Sequence, residues 1–337
     1  MIIILVYFDQ QKVFMRLIKK YVCCLVISLL PCALPAFAAD YPNKPVTILA
    51  PVAPGGGLDL IARTVADRLT RSLGQSFIVD NQSGGGGAIA AQKAARANPD
   101  GYTLMIAYVG THGTNPAVRK LTYDAVKDFS PIAMVGGTPN VLCIYAGIPV
   151  NNIKEFVTYA KEHASKMNYG SAGQGTLTHL AMEQLKMQAG FDSTHVPYRG
   201  IGPAFTDIIG GQTLSMMPGL AAALPHIKTG KIRPIAITGT KRHPLLPDVP
   251  TFKELGFDGF EGVQWYGVAG PANLPSSIVG LLNSEINKAI QSPELKERLS
   301  SEAIQPMPMS PEQFGQYIKE DIVRWSKIAK DRNIQLD

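Results

Sequence analysis

Beyond residue 40 the chain alternates two patterns. Short apolar runs of strand length (Val46-Thr47-Ile48-Leu49-Ala50, Phe77-Ile78-Val79, residues 103–107, 140–145 and 167–169) are separated by longer amphipathic segments. In residues 58–73, Leu58, Ile61, Ala62, Val65 and Leu69 share one helical face, and residues 88–97, 153–163 and those from Thr176 onward read as further helices. Asn98-Pro99-Asp100-Gly101 is a turn before the third strand. Short strands alternating with helices predict an α/β fold of parallel sheets with helices on both faces. Two apolar segments, residues 141–145 and Trp265-Tyr266-Gly267-Val268-Ala269, read as crossings between two domains. The expected division is residues 39–140 plus 266–337 as one discontinuous lobe and 141–265 as the other.

Composition narrows the class. With 46% hydrophobic and 17% charged residues, and with 32 Gly and 25 Pro spread along the chain, collagen-like and disordered classes are excluded. The length of 337 residues suits two domains, each with its own core. The net charge of +6 is unevenly placed: Lys12, Arg16, Lys19 and Lys20 against Asp9 put half of it in the first 38 residues. What remains is near neutral and has no basic run, so no nucleic-acid partner is expected.

That first segment has the form of a cleaved signal peptide over residues 1–38. Arg16, Lys19 and Lys20 precede the apolar stretch 21–34, and Ala36-Phe37-Ala38 supplies a small-x-small cleavage site. Met15 is the more natural start. The stretch is short for a membrane span and interrupted by Pro31. Three of the four cysteines would leave with it, so Cys143 is expected as a lone buried residue with no disulfide.

Four loops carry candidate chemistry. Ala53-Pro54-Gly55-Gly56-Gly57-Leu58-Asp59 joins a strand to a helix, and open N–H groups at a helix start suit an anion. It has neither phosphate-loop nor dinucleotide spacing, so a tight turn is an equal alternative. Tyr169-Gly170-Ser171-Ala172-Gly173-Gln174-Gly175-Thr176 repeats the design, with His179 nearby. A hydrolase elbow would need Gly where Tyr169 stands. Val196-Pro197-Tyr198-Arg199-Gly200 with Asp207, and Gly110-Thr111-His112-Gly113-Thr114-Asn115, supply further polar side chains. The six histidines show no metal-binding spacing, so neither metal nor cofactor is expected. Two anion-ready loops in two lobes suggest a cleft closed by hinge motion.

In their order along the chain these segments resemble the substrate-binding proteins of tripartite tricarboxylate transporters, the Bug/TctC family of Gram-negative bacteria. The resemblance runs through Tyr41-Pro42-Asn43-Lys44-Pro45, both Gly loops, Asn98-Pro99-Asp100-Gly101-Tyr102, Val196-Pro197-Tyr198-Arg199-Gly200, Gly210-Gly211-Gln212, Leu246-Pro247-Asp248-Val249-Pro250-Thr251 and Trp265-Tyr266-Gly267-Val268. It implies a two-domain, type II-like periplasmic binding fold with the ligand cleft between the lobes. It also implies a monomer, exported to the periplasm, that delivers a carboxylated ligand to permease subunits. Carried onto this chain, the ligand positions are Pro54, Gly55, Gly56, Gly57 and Asp59 on one side and Ser171, Ala172, Gly173, Gly175 and Thr176 on the other. Tyr198, Arg199 and Asp207 would set specificity, with Thr111 and Asn115 at the rim. Leu58 stands where the family often has a small polar residue, which predicts a more apolar pocket. Arg199 replaces a common Lys and could grip a second carboxylate bidentately, favouring a dicarboxylate or aromatic acid. The competing functions are a periplasmic ligand sensor and, from another class, a serine esterase or amidase using Ser171 and His179.

Overall fold

The computed structural model describes residues 41–55 and 57–336; the expected signal peptide and Gly56 lie outside them. The architecture is that of the chain from Lys44 onward.

In chain order the elements are β1 (Val46–Ala50), α1 (Gly57–Leu73), β2 (Phe77–Asn81), α2 (Ala88–Ala95), β3 (Thr103–Tyr108), α3 (Asn115–Val118), β4 (Phe129–Thr138), β5 (Val141–Tyr145), α4 (Ile153–Glu162), β6 (Asn168–Ser171), α5 (Leu177–Ala189), β7 (Thr194–Pro197), α6 (Ile201–Ile209), β8 (Ser215–Met216), α7 (Leu220–Lys228), β9 (Ile232–Ile237), β10 (Gln264–Pro271), α8 (Ser276–Gln291), α9 (Pro293–Ser301), β11 (Gln305–Pro306) and α10 (Pro311–Asp331). They build two sheets, one ordered β11-β4-β10-β3-β1-β2 and the other β7-β6-β8-β5-β9. The chain passes from the first sheet to the second between Thr138 and Val141 and returns between Ile237 and Gln264.

Both sheets are mixed, which corrects the expectation of parallel ones. β1 pairs in parallel with β2 and β3, and β6 with β7 and β8. β10, however, runs antiparallel to β3 and β4, and β5 antiparallel to β8 and β9. β5 and β10 are each the first strand in their sheet after a crossing, and the short β11 also runs antiparallel, to β4. A βαβ unit turns the chain round through a helix so that its two strands are parallel, whereas β5 and β10 each follow a strand of the other sheet and are under no such constraint. Apolar periodicity carries no information about a strand's heading.

Local chemistry explains the elements that hold the site. β1 is buried along nearly its whole length, as a strand covered on both faces should be. On α1, Leu58, Ile61, Ala62, Val65, Ala66 and Leu69 are buried at helical spacing. α10 starts on a capping box, with Ser310 Oγ accepting from the Gln313 N–H and the Gln313 side chain accepting from the Ser310 N–H. One apolar cluster runs from Leu49, Met105 and Met134 of the first sheet to Leu142 and Tyr169 of the second and Leu180 of α5, and includes the fully buried Trp265. Trp265 Nε1–H donates to Asp321 on α10 at 2.9 Å. Cys143 is fully buried on β5, and burial pushes its thiol upward, so it packs as a small apolar residue.

The cap gives a stability prediction. Ser310→Ala should cost about 1 kcal/mol, because the Gln313 N–H at the helix start loses its acceptor; urea unfolding should show a lower midpoint with an unchanged slope. An unaltered midpoint would mean the cap contributes nothing.

Candidate functional site

Each sheet presents a glycine-rich loop where a parallel strand gives way to a helix: β1 to α1, and β6 to α5. Open α/β sheets bind ligands at such strand ends, and the first-turn N–H groups of a helix have no partner within it.

In the first loop Ala53, Pro54, Gly55 and Gly57 are exposed. Gly55 takes φ +94°, a conformation side chains rarely adopt, and a Cβ there or at Gly57 would meet open space. Asp59 stands differently from its expected role. It is 4% exposed, and its carboxylate accepts from Gly55 N–H at 3.0 Å, Arg63 Nε at 3.0 Å and Asn81 Nδ2 at 2.8 Å. Burial alone would raise its pKa, yet the bonds from Arg63, Gly55 and Asn81 hold it down to about 2. Asp59 therefore braces the loop from inside. Leu58, expected to make the pocket apolar, is 7% exposed and belongs to the buried face of α1.

The 84–87 loop stands beside it. Tyr108 OH and Asn115 Nδ2 both donate to the Gly86 carbonyl, at 3.1 and 2.9 Å, and a Cβ on Gly87 would strike Thr111, Pro51 and Tyr108. Asn115 is thus a buried brace of this loop. Thr111 is also no rim residue: it is fully buried in a π-turn, Gly110–Thr114, with its Oγ1 bonded to the Tyr108 backbone and 2.9 Å from His112 Nδ1. Burial pulls His112 down to about 3. The turn is packed because Phe129 and Tyr123 close over His112, a tertiary contact with no local signature.

The second loop is braced more heavily. Ser171 is fully buried. Its Oγ lies 2.6 Å from His195 Nε2 and also accepts from the Gly173 N–H at 3.1 Å. The Ala172 N–H donates to Thr178 Oγ1 at 2.9 Å, and the Gly175 N–H to His179 Nδ1 at 3.0 Å. Thr176 Oγ1–H donates to the Gly173 carbonyl at 2.7 Å. Among the described residues, no acceptor engages the N–H groups of the exposed Gln174 or of Leu177 at the start of α5. The amides of Ala172, Gly173 and Gly175, expected to be open, are satisfied within the loop.

At its border Tyr198 OH donates to Asp207 at 2.5 Å, and burial with that bond pushes the phenol up to about 12. Arg199 is exposed, and no acid pairs with its guanidinium among the described residues. Beneath the loop lies a cluster that local spacing did not reveal. Glu183 accepts from Tyr169 OH at 2.5 Å, Lys186 Nζ at 2.7 Å and Arg332 Nε at 2.5 Å. Burial would raise its pKa, but these donors lower it. His179 and His195 stack above Glu183's neighbour Tyr169, with their own rings 3.8 Å apart and 6° from parallel.

The two-sheet fold, with a braced glycine loop on each sheet, defines a two-lobed periplasmic binding protein. The family model of the "Tripartite tricarboxylate transporter family receptor" matches residues 61–334, and the chain belongs to that family. It is 35% identical over 86% of its length to a UPF0065 protein from the tcbD-tcbE intergenic region of Pseudomonas sp. strain P51, covering 86% of that protein. It is also similar to an R. palustris protein solved with adipate (TM-score 0.79, 34% identity, 88% of this chain and 99% of that one). MatC from Rhodopseudomonas palustris with bound malate is similar at TM-score 0.74 and 33% identity, covering 86% of this chain and 99% of MatC.

The histidine stack gives a pH prediction. Burial holds His179 and His195 each at about 4 in the folded protein, against 6.5 when free. Between those values the unfolded chain binds protons that the folded stack refuses. Stability is therefore full above pH 6.5 and falls as pH drops toward 4. Urea midpoints measured from pH 7 to 4.5 should decline, and the double variant His179→Asn, His195→Gln should make the decline shallower, the buried His112 and His243 supplying the part that remains. A flat wild-type profile would contradict the burial argument.

Proposed function

We propose that the protein captures a small carboxylated organic acid in the periplasm and delivers it to the permease subunits of a tripartite tricarboxylate transporter, without chemistry of its own. The observation that carries this reading is the pair of glycine-rich loops at helix starts on two sheets, whose nearby acids, Asp59 and Asp207, are both occupied by internal donors. Open N–H groups and one unpaired guanidinium are what an anion would meet. Relatives solved with adipate and malate support a carboxylate as that anion.

On this reading the lobes are residues 39–140 plus 266–337 and 141–265, residues 1–38 are a cleaved export signal, and the protein acts as a monomer. The ligand-facing set becomes Pro54, Gly55, Gly56 and Gly57 with the Gln174 N–H and the first turn of α5. Thr176, Tyr198 and Arg199 stand at the border; Asp59, Thr111, Asn115, Ser171 and Asp207 act as braces. The esterase reading loses the Ser171–His179 pair, since His179 accepts from a backbone amide, and the hydroxyl that His195 does contact belongs to a fully buried Ser171. A sensor role would use the same site and differs only in the partner that reads it.

Two measurements test this. A thermal-shift screen of the refolded mature protein should find a di- or tricarboxylate that raises the melting temperature by a few degrees, since a ligand at about 100 times its Kd adds about 2.7 kcal/mol. A flat response across carboxylic acids would remove the reading. Arg199→Met should weaken a dicarboxylate about tenfold, the loss of one charge-assisted pair, and leave the corresponding monocarboxylate nearly unchanged. Equal losses for both would show that Arg199 does not read the second carboxylate.

A further inference from the structure

Two histidines underlie the second loop, and each holds one of its polar groups. His195 Nε2 is 2.6 Å from Ser171 Oγ, and His179 Nδ1 accepts the Gly175 N–H at 3.0 Å. They come from different elements, His179 from α5 and His195 from β7. Parallel register sets His195 directly beside Tyr169 of β6, and the Tyr169 and His195 rings stack at 4.9 Å. With the histidine rings themselves stacked 3.8 Å apart, neither can turn without parting from its neighbour.

The proton positions follow from the partners. Because His179 Nδ1 accepts from a backbone N–H, a neutral His179 carries its proton on Nε2. The charged groups around the stack are Glu183 and Lys186 of α5 and Arg332 beyond α10; Glu183 already accepts from Lys186, Arg332 and Tyr169, so its charge is occupied. A protonated His179 would set an N–H against the Gly175 N–H. At Ser171 the bond persists whether oxygen or nitrogen supplies the shared proton.

Holding these groups inward has a consequence for the loop's outer side. Gly173 takes φ +133° and Gly175 φ +73°. A Cβ on Gly175 would collide with Val118 and Leu336, and one on Gly173 would come within 3.1 Å of the Tyr198 carbonyl. The path between Ser171 and Thr176 is therefore fixed at both ends and crowded on its inner side, which leaves Gln174 exposed at its crest.

We propose that His179 and His195 are positioning residues for ligand capture: by holding the Gly175 amide and the Ser171 hydroxyl, they set the loop so that the Gln174 N–H and the first-turn amides of α5 are presented to the ligand. The inference deepens the carboxylate-binding reading and rests on it.

The test compares His195→Leu and His179→Leu, which remove the polar atom, with His195→Gln and His179→Asn, which restore one near the same place. Hydrogen exchange is followed over residues 171–180, and adipate and malate are titrated calorimetrically. The leucine variants should exchange loop amides at least about tenfold faster, with the rest of the chain unchanged, and should weaken the dicarboxylate that binds about tenfold or more. The Gln and Asn variants should stay within about threefold of wild type in both readouts. Folded leucine variants with wild-type loop exchange would overturn the proposal, as would Gln and Asn variants as impaired as the leucine ones. If the leucine variants fail to fold, the imidazole ¹⁵N spectrum of the wild type at pH 7 still tests it: neutral His179 with its proton on Nε2 supports it, and a proton on Nδ1 overturns it. If loop exchange responds as expected but neither dicarboxylate binds the wild type, the loop's positioning stands and the dicarboxylate reading fails.

Discussion

The buried carboxylate of Glu183 is the contact on which the second loop depends. It receives three donors, one from the strand that enters the loop (Tyr169), one from its own helix (Lys186) and one from the end of the C-terminal helix (Arg332). A buried carboxylate lacking such partners would be costly enough to take up a proton. With them, β6, α5 and the segment after α10 are tied at a single point, although Arg332 lies 149 residues away in sequence from Glu183. Val118 and Leu336 complete the junction by packing against Gly175. Against a well-packed apolar replacement such a buried ion pair adds little net stability; what it does here is hold three elements at one point.

The same economy recurs in the first sheet. Asp59 and Asn81 fasten the chain at Val52 and Gly55, and Tyr108 and Asn115 fasten the 84–87 loop at a shared carbonyl. In each case a polar side chain turned inward satisfies backbone groups that would otherwise need water. Loops held in this way lose less conformational freedom when a ligand arrives, so more of the interaction energy appears as affinity.

Much of the fold was legible because it rests on periodicity. The helical face of α1, the strand β1 and the turn at residues 98–101 all follow from apolar spacing and turn chemistry. Strand direction was not legible, since the reversed strands β5 and β10 have the same apolar signature as parallel ones. At the site, glycine loops at helix starts were readable as places where backbone donors gather. Which donors remain open was not, because that depends on partners brought from elsewhere: His195 to Ser171, Asn81 to Asp59, Phe129 over His112. The family resemblance put Thr111 and Asn115 at the rim, and only tertiary packing shows them buried and bonded to neighbouring loops.

On the proposed carboxylate reading, internal pairing also bears on the sign of the site. Asp59 and Asp207 are acids near the two loops, and left free they would repel a carboxylate at short range. Asp59 is matched by Arg63, Asn81 and a loop amide, and Asp207 by the Tyr198 phenol. Arg63 offsets the charge of Asp59, whereas the neutral Tyr198 phenol fixes the Asp207 carboxylate in place without cancelling its charge. Attraction is then left to the helix-start amides and to Arg199, which carry only partial or full positive charge. An acid paired with a cation, as Asp59 is with Arg63, costs an anion little in repulsion. On the proposed carboxylate reading, backbone donors and Arg199 would then have to outweigh Asp207, which no cation pairs among the described residues.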